Sequence, residues 1–147
     1  MMQFQRHAAA AAFALAGLAT HAQTDPLRSA AAEPGAVVTA TGLVLRMLKE
    51  GTGASPAAAD RVKVHYRGTF PDGREFDSSY KRNQPATFPL NRVIKCWTEG
   101  LQLMKVGSRA RLTCPAARAD GERGAGGGEI PPNAVLNFEV ELLAINP

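Results

Sequence analysis

Between Arg61 and Phe70 the chain reads RVKVHYRGTF, which places Val62, Val64, Tyr66, Gly68 and Phe70 on one face and Arg61, Lys63, His65, Arg67 and Thr69 on the other. A period of two is that of a half-buried β-strand. Pro71-Asp72-Gly73 is turn chemistry and REFDSS returns after it, so the two runs predict a hairpin. The last segment, AVLNFEVELLAI, alternates in the same way, with Leu136, Phe138, Val140 and Leu142 set against Asn137, Glu139 and Glu141. GLVLRMLKEG, TFPL and SRARLTCP read as further strands. In NRVIKCWTEGLQLMKVG the period changes: Trp97, Leu101 and Met104 recur at i, i+4 and i+7, the stripe of a short helix closed by Gly107. Many strands and one helix predict an α+β domain, a mostly antiparallel sheet packed on that helix.

The periodic region begins near Thr41. Residues 23–40, QTDPLRSAAAEPGAVVTA, are rich in Ala, Pro and small polar residues without sustained periodicity and read as a flexible leader. Residues 1–22 carry a positive charge at Arg6, an apolar run from Ala8 to Ala19 and then Thr20-His21-Ala22, the layout of a signal peptide cut after Ala22. The run falls short of the ~20 residues a membrane span needs. No cysteine follows it, so no lipid or other membrane anchor is expected. The reading is an exported protein, most simply periplasmic, with one domain over residues 41–147, the size a single core can fill.

Charge adds little. The formal net charge is +4, and removing residues 1–22, which hold Arg6 and no acid, lowers it by one. The basic residues are spread along the chain, which argues against a nucleic-acid partner. Cys96 and Cys114 are the only cysteines. In an oxidising compartment they are free to form a disulfide, and each alone reads equally well as a small buried apolar residue, so the sequence leaves both open.

Several chemistries find no support. GERGAGGGE lacks the Gly-Lys-Ser/Thr ending of a phosphate loop and no helical pattern follows it. His7 and His21 fall in the presumed signal and His65 on the polar face of a strand, so no metal-ligand spacing is present. Ser78 and Ser79 have no histidine at an informative spacing, which argues against a Ser-His hydrolase.

What remains is aromatic and aliphatic: Tyr66, Phe76, Phe88, Val93, Ile94, Trp97, Ile130 and Phe138, with Asp77 the one acid among them. Taken alone, such residues are the ordinary makings of a core. In order and spacing, however, VHYRGTFPDGREFDSSYKRNQPATFPL, then VI followed by WTEGLQLMKVGSRARLTCPA, then IPPNAVLNFEVELL resemble the FKBP-type peptidyl-prolyl isomerases, the macrolide-binding immunophilins, over about residues 41–147. The resemblance implies a five- or six-stranded antiparallel sheet wrapped around one short helix, with a proline-binding pocket between them. Trp97 would be the pocket floor, and Tyr66, Phe76, Phe88 and Phe138 its walls. Val93 and Ile94 would lead into the helix, with the Ile94 N–H bonding a ligand carbonyl. Asp77 would stand at the rim, bonded to the Tyr66 hydroxyl and paired with Arg82, and Ile130 would come from the loop before the last strand. Tyr66, Asp77, Phe76 and Phe138 are the expected catalytic set, and Phe88, Val93, Ile94, Trp97 and Ile130 the expected substrate-binding set.

The implied activity is rotation about X-Pro bonds in exported polypeptide clients, without metal or cofactor, by a monomer that could also take macrolides. The alternative is a catalytically weak or inactive chaperone module that holds proline segments in the same groove. That alternative is motivated by departures from the family pattern. Ala119-Asp120-Gly121 stands where relatives usually have Ala-Tyr-Gly, and an ionised aspartate cannot donate the tyrosine's hydrogen bond. The loop that follows is glycine-heavy, Ala86 replaces a frequent phenylalanine, and Lys95-Cys96 replaces Pro-Gly or Arg-Gly before the tryptophan. A shallower pocket and reduced activity are the consequences expected of these changes.

Overall fold

The computed structural model describes residues 25–119 and 130–147. Residues 1–22, read as a signal peptide, and Asp120 with the glycine-rich loop lie outside the described residues. The elements are α1 (Pro26–Ala31), β1 (Ala36–Val38), β2 (Val44–Lys49), β3 (Arg61–Thr69), β4 (Glu75–Ser78), β5 (Ala86–Pro89), α2 (Lys95–Leu101), β6 (Arg109–Cys114) and β7 (Leu136–Ile145). The strands form one seven-stranded sheet in the order β1-β2-β6-β7-β3-β4, with β5 also paired to β3. Every pairing is antiparallel. Strand β3 is long enough to serve two short partners on one edge: β5 takes Arg61–Val64 and β4 takes Arg67–Thr69.

The core follows from the alternation. Val62, Val64, Tyr66, Gly68 and Phe70 are all buried along β3, as are Leu136, Phe138, Val140 and Leu142 along β7. These faces meet the buried side of α2, where Cys96, Trp97, Gly100 and Leu101 point inward. Gly100 is what lets the helix lie so close. A Cβ there would stand 3.0 Å from both methyls of Leu112 on β6. The contact is locked beside it by a disulfide between Cys96 and Cys114, whose Cα atoms are 5.8 Å apart.

Three elements differ from the sequence reading. The stretch read as a flexible leader carries a helix and a strand. Asp25 caps α1, its carboxylate accepting from the Leu27 N–H at 3.0 Å, and Pro26 occupies the first turn, where its missing N–H is no loss. Strand β1 then pairs with β2, and Arg46 fastens the connection by donating to the Pro34 carbonyl (3.0 Å) and the Glu33 carboxylate (3.2 Å). That added strand raises the sheet from five or six strands to seven, and α1 is a second helix where one was expected. The pocket helix, in turn, stops at Leu101. Met104 is buried from the turn that follows, and Gly107 lies beyond the helix at φ +95° instead of closing it.

A bridge across 18 residues should contribute about 3 kcal/mol by restricting the unfolded chain. Replacing both cysteines by alanine is therefore expected to lower the urea-unfolding free energy by about that amount. An unchanged midpoint would mean that the sulfurs are not joined.

Candidate functional site

The inner face of the sheet and α2 enclose an open cavity of about 260 Å³ lined by Tyr66, Phe76, Asp77, Phe88, Val93, Ile94, Trp97 and Phe138. Its shape is set by ring geometry. Tyr66, Phe88 and Phe138 stand at 82°, 79° and 86° to the Trp97 indole, with centroids 5.1, 5.8 and 5.4 Å away. The indole is thus a floor and the three rings are upright walls, each in the edge-to-face arrangement that aromatic quadrupoles favour. Phe76 extends the wall, at 86° and 5.6 Å to Phe138. The indole Nε1 is buried without a hydrogen-bond partner among the described residues.

Two backbone features place the walls. In β3 and β7, Gly68 sits opposite Phe138, and a Cβ on Gly68 would come within 2.6 Å of Phe76 Cζ and 3.0 Å of Phe138 Cε1. Glycine here makes room for both rings. Beside it, the β3–β4 register shifts between Gly68 and Thr69. A bulge re-aims side chains, so the consecutive residues Phe76 and Asp77 both line the cavity, where strict alternation would send one of them away.

At the rim three polar groups satisfy one another. The Tyr66 hydroxyl donates to Asp77 Oδ2 at 2.5 Å, and Arg82 donates from Nη1 to Asp77 Oδ1 (2.6 Å) and from Nη2 to the Tyr66 oxygen (2.9 Å). The Ser78 N–H adds a fourth bond, to Asp77 Oδ1 at 2.9 Å. Partial burial pushes the Asp77 carboxyl up, but the Tyr66 hydroxyl, the Arg82 guanidinium and the Ser78 N–H outweigh it and hold the pKa below the ordinary 3.8. Burial, and then the hydrogen bond to Asp77, push the Tyr66 phenol above its ordinary 10.0. At neutral pH the rim is therefore a carboxylate, a phenol and a guanidinium.

Ile94 precedes α2 as its N-cap, and its carbonyl accepts from the Trp97 and Thr98 N–H groups at 3.0 and 3.2 Å. Its own N–H has no hydrogen-bond partner among the described residues. Of the nine expected site residues, eight come together in the cavity. The ninth, Ile130, packs against the core without lining it. Gly68 is the residue whose part was missed. Its signal in the sequence was a glycine interrupting a strand, which often marks a bulge or a close approach.

A further pairing crosses the hairpin. His65 Nδ1 lies 2.8 Å from Ser79 Oγ, a partner that linear spacing did not offer. That hydroxyl also accepts the Tyr66 N–H at 2.7 Å, and Ser79 is fully buried away from the cavity. Its hydroxyl and backbone N–H both bond the Tyr66 backbone, so it finishes the hairpin.

An antiparallel sheet folded over one inner helix, with a ring-walled cavity between them, is the arrangement that the resemblance to the immunophilins implied. Comparison with known proteins agrees: the family model for FKBP-type peptidyl-prolyl cis-trans isomerases matches residues 53–143, and the chain belongs to that family. It is 56% identical over 119 residues to the FKBP-type peptidyl-prolyl cis-trans isomerase FkpA of Aeromonas hydrophila, covering 81% of this chain and 44% of that protein. It is 52% identical over 119 residues to the FKBP-type 22 kDa peptidyl-prolyl cis-trans isomerase of Escherichia coli, covering 81% and 57%. The crystal structure of a Pseudomonas syringae peptidyl-prolyl cis-trans isomerase matches with a TM-score of 0.77 at 41% identity, over 83% of this chain and 89% of that one. The chain spans about half the length of the curated relatives it matches.

Trp97 is the only tryptophan, so its emission reports on the cavity floor. Gly68→Ala is expected to shift that emission and to destabilise the fold by about 1–3 kcal/mol, because both rings must move off their wells. For Asp77, whose folded pKa lies below the unfolded one, the stabilisation is present above pH 3.8 and is lost as pH falls through the folded midpoint. Carboxyl NMR titration should find that midpoint below 3.8, and Arg82→Ala should move it upward. A midpoint insensitive to Arg82→Ala would refute the rim described above.

Proposed function

We propose that this chain is a peptidyl-prolyl cis-trans isomerase that turns X-Pro bonds in exported polypeptides within the Trp97 cavity. The observation that carries the reading is a proline-sized apolar hollow whose single acid is already committed to Arg82 and Tyr66. At about 260 Å³ it lies just under the ~300–1,000 Å³ of sites that enclose a whole small molecule, so it suits one ring with the chain running out of it.

The reaction needs no proton. Rotation about the bond breaks nothing covalent, and its ~18–20 kcal/mol barrier is the loss of amide resonance. Resonance places negative charge on the carbonyl oxygen, and the twisted amide has less of it. An apolar enclosure therefore solvates the planar form poorly and favours the twisted one, which is catalysis by differential binding. In this reading the Ile94 N–H, which has no partner among the described residues, holds a carbonyl of the bound chain while the proline ring rests on the indole. Tyr66, Phe76 and Phe138 supply the enclosing walls, Phe88 and Val93 close its other side, and Asp77 fixes the Tyr66 hydroxyl. Free X-Pro bonds turn over in tens to hundreds of seconds, and every ~1.4 kcal/mol of selective stabilisation is a tenfold gain.

Export is supported by the signal-like residues 1–22 and by the Cys96–Cys114 bridge, a bond that persists in oxidising compartments. Among the described residues no helix is long and apolar enough to cross a membrane. Macrolide ligands would compete for the same hollow.

Magnetisation-exchange NMR on a peptide with one X-Pro bond measures the rate directly. Catalysis is expected, with Phe138→Ala losing at least about tenfold in kcat/KM. Among the described residues no group lining the cavity titrates between Asp77, held below 3.8, and Tyr66, held above 10.0, so kcat/KM should be flat from about pH 5 to about pH 9. A folded Phe138→Ala protein of undiminished rate would exclude the cavity as the site, and a titrating limb inside that window would exclude the proton-free mechanism.

A further inference from the structure

The proline cavity continues past its own rim. Val93 borders both it and a second hollow of about 700 Å³ that lies along the solvent face of α2. Lys95, Thr98, Glu99 and Gln102, at i, i+3, i+4 and i+7, provide that face, and Arg118 closes the far side from the 3₁₀ turn after β6. The charges there are unevenly satisfied. Glu99, the one carboxylate lining the hollow, already accepts from the Thr41 hydroxyl at 2.5 Å and faces Arg118 Nη2 at 3.9 Å. The cations are less well matched: among the described residues Arg118 has only the 3.9 Å approach of Glu99 to its Nη2 and no partner for its Nε, and Lys95 makes no salt bridge. A cation without a close carboxylate partner is bonded most strongly by an incoming carboxylate, here at the Lys95 ammonium and at the accessible part of the Arg118 guanidinium.

We propose that this groove is a second recognition site for the client polypeptide, and that Lys95 and Arg118 select clients with an Asp or Glu side chain close to the proline. The inference rests on the isomerase reading for the position of the proline and adds a preference that the aromatic cavity cannot supply. Its reach follows from geometry. A helix of seven residues is about 10 Å long, and an extended chain covers that in about three residues, so the acidic side chain falls within about three positions of the proline. Leaving the cavity across Val93, the chain passes Lys95 first and Arg118 afterwards. Lys95 is exposed and the Arg118 side chain is partly accessible, so both contacts act on specificity and are weakened by salt.

The test uses a set of peptides with one proline and a Glu, Gln or Lys moved through the three positions on each side. Each peptide is measured twice, for kcat/KM by exchange NMR and for Kd by Trp97 fluorescence. At its best position the Glu peptide should exceed the Lys peptide by about five- to tenfold at low salt, the size expected of one or two exposed ion pairs reversed in sign. In 1 M NaCl that ratio should fall to about twofold or less. Lys95→Glu should bring it to about one or below, and Arg118→Gln should reduce it partway. Equal rates and affinities for Glu and Lys peptides at every position would overturn the proposal, whatever else covers the groove. So would a ratio that neither variant changes. A protein that turns over all the peptides alike defeats this inference and leaves the isomerase reading standing. One that binds the Glu peptide preferentially but turns over none defeats the isomerase reading and leaves this one, and neither binding nor turnover defeats both.

Discussion

Three rings from the sheet meet the Trp97 indole edge-on, and the cavity has a shape only while that indole cannot tilt. What holds it is the contact between α2 and β6. Gly100 permits near-contact with Leu112, the Cys96–Cys114 bridge joins helix to strand one residue before the indole, and Leu101 and Met104 fill the space behind. The walls depend on a second constraint of the same kind, the room that Gly68 leaves for Phe76 and Phe138. Floor and walls are therefore set by two places where a side chain is missing, and the hollow between them is what remains once the surrounding atoms have packed.

An acid beside such a hollow needs a reason to be tolerated. Burying part of a carboxylate is unfavourable unless its lone pairs are bonded, and Asp77 accepts from a phenol, a guanidinium and a backbone N–H. Because Asp77 and Arg82 both remain substantially exposed, with side chains 40% and 52% accessible, the pair adds little to global stability. Its effect is local. It fixes where the Tyr66 oxygen points and keeps the phenol protonated, so one wall of the cavity carries an oriented dipole without carrying charge.

Much of this was legible in the sequence, for identifiable reasons. Strands β3 and β7 declare themselves because each buries one face, and the hairpin does so through Pro71-Asp72-Gly73. Eight of the nine site residues that the family resemblance implied meet in one cavity: Tyr66, Phe76, Asp77 and Phe138 sit on the patterned strands and their hairpin, Phe88 on β5, Trp97 on the helix, and Val93 and Ile94 just before it. The failures are local in origin. Helix α1 is six residues long and buries none of them, so no stripe could form; its evidence was the Asp25-Pro26 start signal. Met104 kept helical spacing by coincidence, being buried from a turn beyond the helix end. The bulge beside Gly68, the His65–Ser79 contact and the cysteine pairing depend on which residues face one another across strands or between helix and strand, and spacing along one segment carries no information about that.

Strand β1 has an effect out of proportion to its three residues. It pairs with Val44, Leu45 and Arg46 of β2, whose outer backbone groups would otherwise be open to any passing chain, and a bare strand edge is where native proteins begin to stack into fibres. Val37 and Val38 are each 55% exposed, so the shield itself is thin and apolar. A protease nicking the chain ahead of Ala36 would leave the shield in place, whereas one cutting a few residues later would strip it. Cover for that sheet edge thus comes from a stretch separated from the ring-bearing strand β7 by β2 and β6.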